Sequence, residues 1–303
     1  MTSDLFELER PLPDAQLAAL GDRLIGFAVR YARLERGLRL LVDTDGLKQW
    51  SQEHHGGPLP LLDALADLYP LVVFHGDVCT GKTATAEATA ARLAAAHRGE
   101  SMLFKLSTRV RGTGKVGEMS QLINDAFSVI TNEAGKTRTA YLILDEADSL
   151  TASRSQGQSH HEDKVAVNTL IQKIDDLRRY GGRILVFLCT NRYDALDSAI
   201  LRRAFRQERF DRPSDAERRE LFDCDLAGVG LEASVLDQLV KLTGSTRSRP
   251  AFTFSDIRTR LLPDAVARAF PDRALSAADL LSAAKDLEPT PVLTDPDIAT
   301  HGR

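Results

Sequence analysis

The sequence predicts an α/β fold, with a parallel β-sheet flanked by helices and a small all-helical lid domain after it. Three observations predict this. Short apolar runs at Leu71–His75, Met102–Leu106, Tyr141–Leu144 and Ile184–Thr190 alternate with helical patterns. Such alternation is the mark of parallel strands joined by crossover helices. After Pro213 the strand signals fade, and helical periodicity dominates over Asp215–Leu226, Glu232–Leu242, Ser255–Phe270 and Ser276–Leu287. Between the first apolar run and an alanine-rich, proline-free stretch, Ala84–His97, lies a glycine-bounded loop. The expected domains are a mostly helical N-terminal segment (1–64), the α/β domain (65–211), the lid (212–287) and a loose tail (288–303).

Within residues 1–64, Leu17, Leu20, Leu24, Phe27 and Tyr31 recur at helix-like intervals, while Phe27–Tyr31 also alternates as a strand would. The segment Glu53-His54-His55-Gly56-Gly57-Pro58 reads as a loop from its glycines and proline. The bulk properties are those of a soluble globular protein: 303 residues, 43% hydrophobic, 27% charged. A net charge of -4 argues against a chain built to coat nucleic acid. No apolar run approaches a membrane span, and the acidic N-terminus is unlike a secretion signal. Cys79, Cys189 and Cys224 lie far apart without metal-type spacing, so a reduced cytoplasmic protein is expected.

The glycine-bounded loop is Gly76-Asp77-Val78-Cys79-Thr80-Gly81-Lys82-Thr83, followed by Ala84. A glycine, any four residues and then Gly-Lys-Thr between a strand and a helix is the phosphate-loop pattern. Backbone N–H groups of the loop and of the helix N-terminus wrap the phosphates of ATP. Lys82 reaches the β- and γ-phosphates, and Thr83 ligates Mg²⁺. Downstream, the apolar run Tyr141–Leu144 ends in Asp145 and Glu146. Carboxylates at the carboxyl end of such a strand lie where ligands bind. Asp145 holds the Mg²⁺ shell and Glu146 polarises the attacking water. Asn191, at the tip of the Ile184–Thr190 run, orients that water. Arg202 and Arg203 end the next helical pattern. Nothing else in the catalytic half obviously supplies an arginine for the γ-phosphate. Arg203, with Arg202 as neighbour or alternate, is therefore expected to reach into the site of the next subunit.

These elements, in this order, resemble the AAA+ ATPases over roughly residues 65–285. Gly76–Thr83 corresponds to Walker A, Leu142–Glu146 to Walker B, Asn191 to sensor 1 and Arg202/Arg203 to the arginine fingers. Within that superfamily the chain is most similar to the prokaryotic branch of the pachytene-checkpoint ATPases. That likeness is carried by Asp145–Arg154, by Val167-Asn168-Thr169-Leu170-Ile171-Gln172-Lys173-Ile174-Asp175 and by Arg203-Ala204. It implies a ring, by family expectation a hexamer. It also implies remodelling of a HORMA-domain protein that regulates a cGAS-like nucleotidyltransferase in antiphage defence. Ser107–Lys115 resembles the first pore loop, expected to use Arg109, Val110 and Arg111, with Arg109 and Val110 where relatives carry a gripping aromatic. Arg258, or nearly as well Arg260, stands where the lid helix carries the second sensor.

The departures are local. Cys79 replaces a glycine of the family loop, and Asp77 and Val78 replace prolines. His160-His161-Glu162-Asp163 follows a Ser/Gln/Gly run and reads as a loop, the second pore loop by resemblance, rather than as a metal site. The expected function is a Mg²⁺-dependent ATPase that remodels a protein partner, with no membrane and no direct nucleic-acid binding. A nucleic-acid motor or loader would show an added helix-turn-helix, zinc site or basic stripe, and none is found. A nucleotide-regulated assembly module with little turnover has no need of Glu146 or a finger arginine.

Overall fold

The computed structural model describes residues 5–96, 99–106, 118–147 and 161–292. It groups into two compact units, one running to His75 and from Lys82 to Arg209, the other joining Gly76–Gly81 to the chain from Phe210 onward. In the first unit β1 (Phe6–Leu12) precedes four helices, α1 (Ala15–Arg23), α2 (Phe27–Val42), α3 (Thr44–His55) and α4 (Leu61–Ala66). The ambiguous Phe27–Tyr31 stretch is helical. Phe27, Leu34, Leu38 and Leu41 fall on one buried face of α2, and left-handed Gly26 separates it from α1. The expected loop at Glu53–Pro58 is shorter than predicted. Helix α3 runs on through His54 and His55, which pack beside Trp50, and ends at left-handed Gly56.

Next come β2 (Leu71–Gly76), α5 (Lys82–Ala96), β3 (Ser101–Leu106), α6 (Glu118–Ala134), β4 (Thr139–Leu144), α7 (His161–Leu177), β5 (Ile184–Thr190), the short α8 (Ser198–Leu201) and β6 (Arg206–Phe210). Six strands form one sheet in the order β1-β3-β4-β5-β2-β6. The β3–β4, β4–β5 and β5–β2 pairs are parallel. Strands β4 and β5 are buried along their whole length, as strands covered on both faces must be.

The core of the sheet is parallel, as expected, and an antiparallel edge strand is added to it. Strand β1 lies within the segment expected to be mostly helical, and it pairs antiparallel with β3. Its exposed run, Glu9-Arg10-Pro11, carries charges and a proline, which an edge strand tolerates. Strand β6 was also unforeseen. Its Arg206-Gln207-Glu208 looks like loop, yet Glu208 is buried and neutralised by Arg30 at 3.0 Å and by Arg33.

The second unit carries α9 (Asp215–Asp225), α10 (Ala233–Leu242), a π-helical turn (Asp256–Leu261), α11 (Leu262–Ala267) and α12 (Ala277–Asp286). Leu221, Phe222, Leu239, Phe252, Ile257 and Leu280 are among its fully buried side chains. The helix expected over Ser255–Phe270 is thus interrupted by the wider turn. Among the described residues, no helix is long and apolar enough to cross a membrane.

Candidate active site

Parallel register brings the chemistry to one edge of the sheet. His75 lies opposite Thr190, and Leu144 opposite Leu188, so β2, β4 and β5 end together. The residues that follow them are the phosphate loop, the Asp145–Glu146 pair and Asn191. Helix α5 begins at Lys82, two residues earlier than Ala84, the start expected from the sequence. Its first residues, Lys82 and Thr83, are therefore helical and stand at the helix N-terminus, the end that favours anions.

Within the loop, Thr80 Oγ1 donates to the Asp77 carbonyl at 2.8 Å, and the Val78 N–H donates to Asp77 Oδ1 at 2.8 Å. Gly76 is required by space as well as by its φ of 131°, because a Cβ there would stand 2.1 Å from the Phe210 carbonyl oxygen. Among the described residues, only two others than glycine have a positive φ, Cys79 at 56° and Glu146 at 47°. Both belong to the predicted site, and both are exposed. Non-glycine residues in the left-handed region carry backbone strain, which persists at functional positions.

Thr83 Oγ1 donates to Asp145 Oδ2 at 2.8 Å, and the Glu146 N–H donates to Asp145 Oδ1 at 3.0 Å. A hydroxyl and a carboxylate converging in this way fit Mg²⁺, which takes few protein oxygens and keeps the rest of its shell for water and phosphate. The Ala147 N–H donates to the Cys189 carbonyl at 3.0 Å and ties the turn after β4 to β5. Burial pushes the Cys189 thiol far above its ordinary value, so it stays a neutral core side chain.

Four residues had no role assigned to them from the sequence: Lys105, Asp175 and Arg212, which touch predicted site residues, and Glu87, which touches Lys105. Lys105 on β3 reaches Glu7, Glu87 and Asp145 at 3.2, 3.7 and 3.8 Å. Burial works against its charge, but Glu87, Glu7 and Asp145 outweigh it and hold the ammonium's pKa above its ordinary value. Glu87 is pushed the other way by burial, which raises its carboxyl despite Lys105. Asp175 on α7 takes Arg203 in a two-pronged ion pair, with Nη2 at 2.9 Å. The Arg203 guanidinium also lies over the Tyr69 ring, 5.5 Å from its centre. Two of the stretches that carry the resemblance, Val167–Asp175 and Arg203-Ala204, thus meet in one ion pair. Arg202 is exposed, with no side-chain partner among the described residues. Arg212 donates to Asp77 and, at 2.6 Å, to the Ala251 carbonyl. An acidic residue where relatives have proline was the available clue to such a counter-ion.

Arg258 and Arg260 sit on the π-helical turn of the second unit. Arg258 pairs with Asp225, with Nη2 at 2.9 Å, and Arg260 with Asp256 at 2.9 Å. Arg109, Val110, Arg111 and His160 are outside the described residues. Among the described residues, no cluster of three or more His, Cys, Asp or Glu side chains could hold a metal ion.

Comparison with known proteins agrees with this geometry. Residues 72–212 match the family "ATPase family associated with various cellular activities (AAA)". CD-NTase-associated protein 6 of Escherichia coli (strain KTE188) is 52% identical over 97% of this chain and 99% of its own length. The solved structure described as the E. coli MS115-1 HORMA:CdnC:Trip13 complex contains a chain 37% identical to this one. It superposes with a TM-score of 0.88 over 96% of this chain and 98% of that one. Trip13 from Rhizobiales is 34% identical, with a TM-score of 0.72 over 95% of this chain and all of that one. The phosphate loop, the paired carboxylates beside it and these similarities together place the chain in the AAA ATPase family.

Proposed function

We propose that this protein hydrolyses ATP in a Mg²⁺-dependent reaction and uses the energy to remodel a HORMA-domain protein within an antiphage defence system. The hydrogen bond from Thr83 to Asp145 carries the catalytic part, because it joins the two metal-binding halves of the site. The similarity to Trip13, in a complex whose description names a HORMA protein and CdnC, supports the partner.

In this scheme the loop amides and Lys82 hold the phosphates. Mg²⁺, when bound to Thr83 and Asp145, supplies charge neutralisation at the β- and γ-phosphates. Glu146, exposed and one residue beyond Asp145, draws the proton from the attacking water, which Asn191 orients. Arg203, held by Asp175, or its exposed neighbour Arg202, completes the site of an adjoining subunit, so the working form is a ring, six-membered by family expectation. Arg258 senses nucleotide from the lid, with Arg260 as the alternative. Residues 65–211 form the nucleotide-binding domain, 212–287 the lid, 1–64 an N-terminal segment and 288–303 a tail. Arg109–Arg111 are assigned to a substrate-gripping loop.

Glu146→Gln tests the proposal directly. The variant should bind ATP as the wild type does, and turnover should fall at least about a hundredfold, the contribution of a positioned general base. In ATP it should also capture the HORMA-domain protein in a pull-down. Turnover near the wild-type rate would remove Glu146 from its role, and no HORMA capture would remove the partner.

A further inference from the structure

Lys105 stands at the meeting point of three elements. From β3 it faces Glu7 on the edge strand β1, Glu87 on α5 and Asp145 at the end of β4. Its side chain is only 14% exposed, while Glu7 is half exposed. The Asp145 oxygen that Lys105 approaches, Oδ2, is the one that accepts the Thr83 hydroxyl. One ammonium is thus shared by three carboxylates, one of them the carboxylate assigned to Mg²⁺.

We propose that Lys105 is a positioning residue that tunes how strongly the site draws Mg²⁺, and that Glu7 sets its strength. This rests on the assignment of Asp145 to the metal. An ammonium beside Asp145 Oδ2 repels an incoming cation and competes for the same oxygen. Glu7 draws the ammonium toward β1 and so weakens that competition. The edge strand, outside the catalytic motifs, thereby gains an electrostatic link to the metal site.

The two ends of the link should act in opposite directions. In the full chain, binding of a fluorescent ATP analogue is titrated with Mg²⁺. Lys105→Met should lower the Mg²⁺ midpoint about threefold or more, because a nearby positive charge is gone. Glu7→Gln should raise the midpoint about twofold, because Lys105 is left freer to engage Asp145. Lys105→Arg should restore the wild-type midpoint. A purely structural lysine would make Lys105→Met and Glu7→Gln weaken binding alike. A shift in the same direction, or none in either variant, would overturn the inference while leaving the ATPase assignment standing. Wild-type binding that ignores Mg²⁺ would remove the metal assignment and this inference together.

Discussion

The strand ends and the helices of the second unit treat charge in opposite ways. At the ends of β4 and β5, charges are shared and left open. Lys105 faces three carboxylates, none closer than 3.2 Å, and Glu146 is held exposed at a positive φ. From Ser214 to Thr290 the charged side chains close on partners within the same unit. Ser214 with Glu217 and Ser276 with Asp279 form capping boxes. Arg273 grips Asp279 with both terminal nitrogens at 2.6 Å. Buried Asp256 accepts from the N–H groups of Thr253 and Thr290, from the Thr290 hydroxyl and from Arg260. The charges of these helices are thus paired within their own unit, whereas the strand ends keep backbone strain and a shared ammonium. Local rules are broken where chemistry is done.

The sharpest way to break this contrast is Arg203→Ala. ATP turnover should fall about a thousandfold, the lower range for a finger arginine. Mixing the variant with a Lys82→Ala protein should restore part of it, because each supplies the half the other lacks. A mixture no faster than either protein alone would show that Arg203 serves its own subunit.

Gly76→Ala should cost about 3 kcal/mol and abolish nucleotide binding, since the new methyl meets backbone and not a movable side chain. Melting and binding like the wild type would show that β6 gives way. Asp256→Asn should cost about 1–3 kcal/mol at neutral pH by weakening a buried hydrogen-bonded carboxylate. Burial alone would raise the Asp256 pKa, but the bonds from Thr290 and Thr253 outweigh it and hold it below its ordinary value. Arg273 and Ser276 hold Asp279 lower still. Carboxylates depressed in the folded state stabilise it fully above the unfolded pKa of about 4, and the benefit is lost as pH falls through their folded values. Thermal melts in acid should therefore show the wild type losing stability below about pH 4, with the gap to Asp256→Asn closing. A gap that stays constant would remove Asp256 from the acid response.

The smallest effect belongs to Cys79→Gly. Glycine takes the loop's left-handed φ without strain, so turnover should stay within about twofold and stability within about 1 kcal/mol. A large loss of turnover would mean that the thiol itself contacts the nucleotide.

The four central strands and the motifs at their tips were legible because each is a run of neighbouring residues. An apolar stretch that ends in a glycine loop or paired carboxylates announces itself without its partners. Strands β1 and β6 were not legible, since edge strands carry charges that resemble loop. Glu208 shows the reason: it is buried in β6 only because Arg30 and Arg33, far away in sequence, neutralise it. The π-helical turn under Arg258 was equally hidden, because one added residue per turn leaves the apolar pattern nearly unchanged.

The sequence by itself determined the family and where its motifs stand: the phosphate-loop pattern with Lys82 and Thr83, and the Asp145–Glu146 pair, all set by local spacing. Only the tertiary structure decided that Thr83 donates to Asp145, that Asp175 holds Arg203, and that Lys105 joins an edge strand to the Asp145 carboxylate. Those contacts link residues many positions apart. They depend on strand order and register, which arise from packing between elements and leave no periodic trace along the chain.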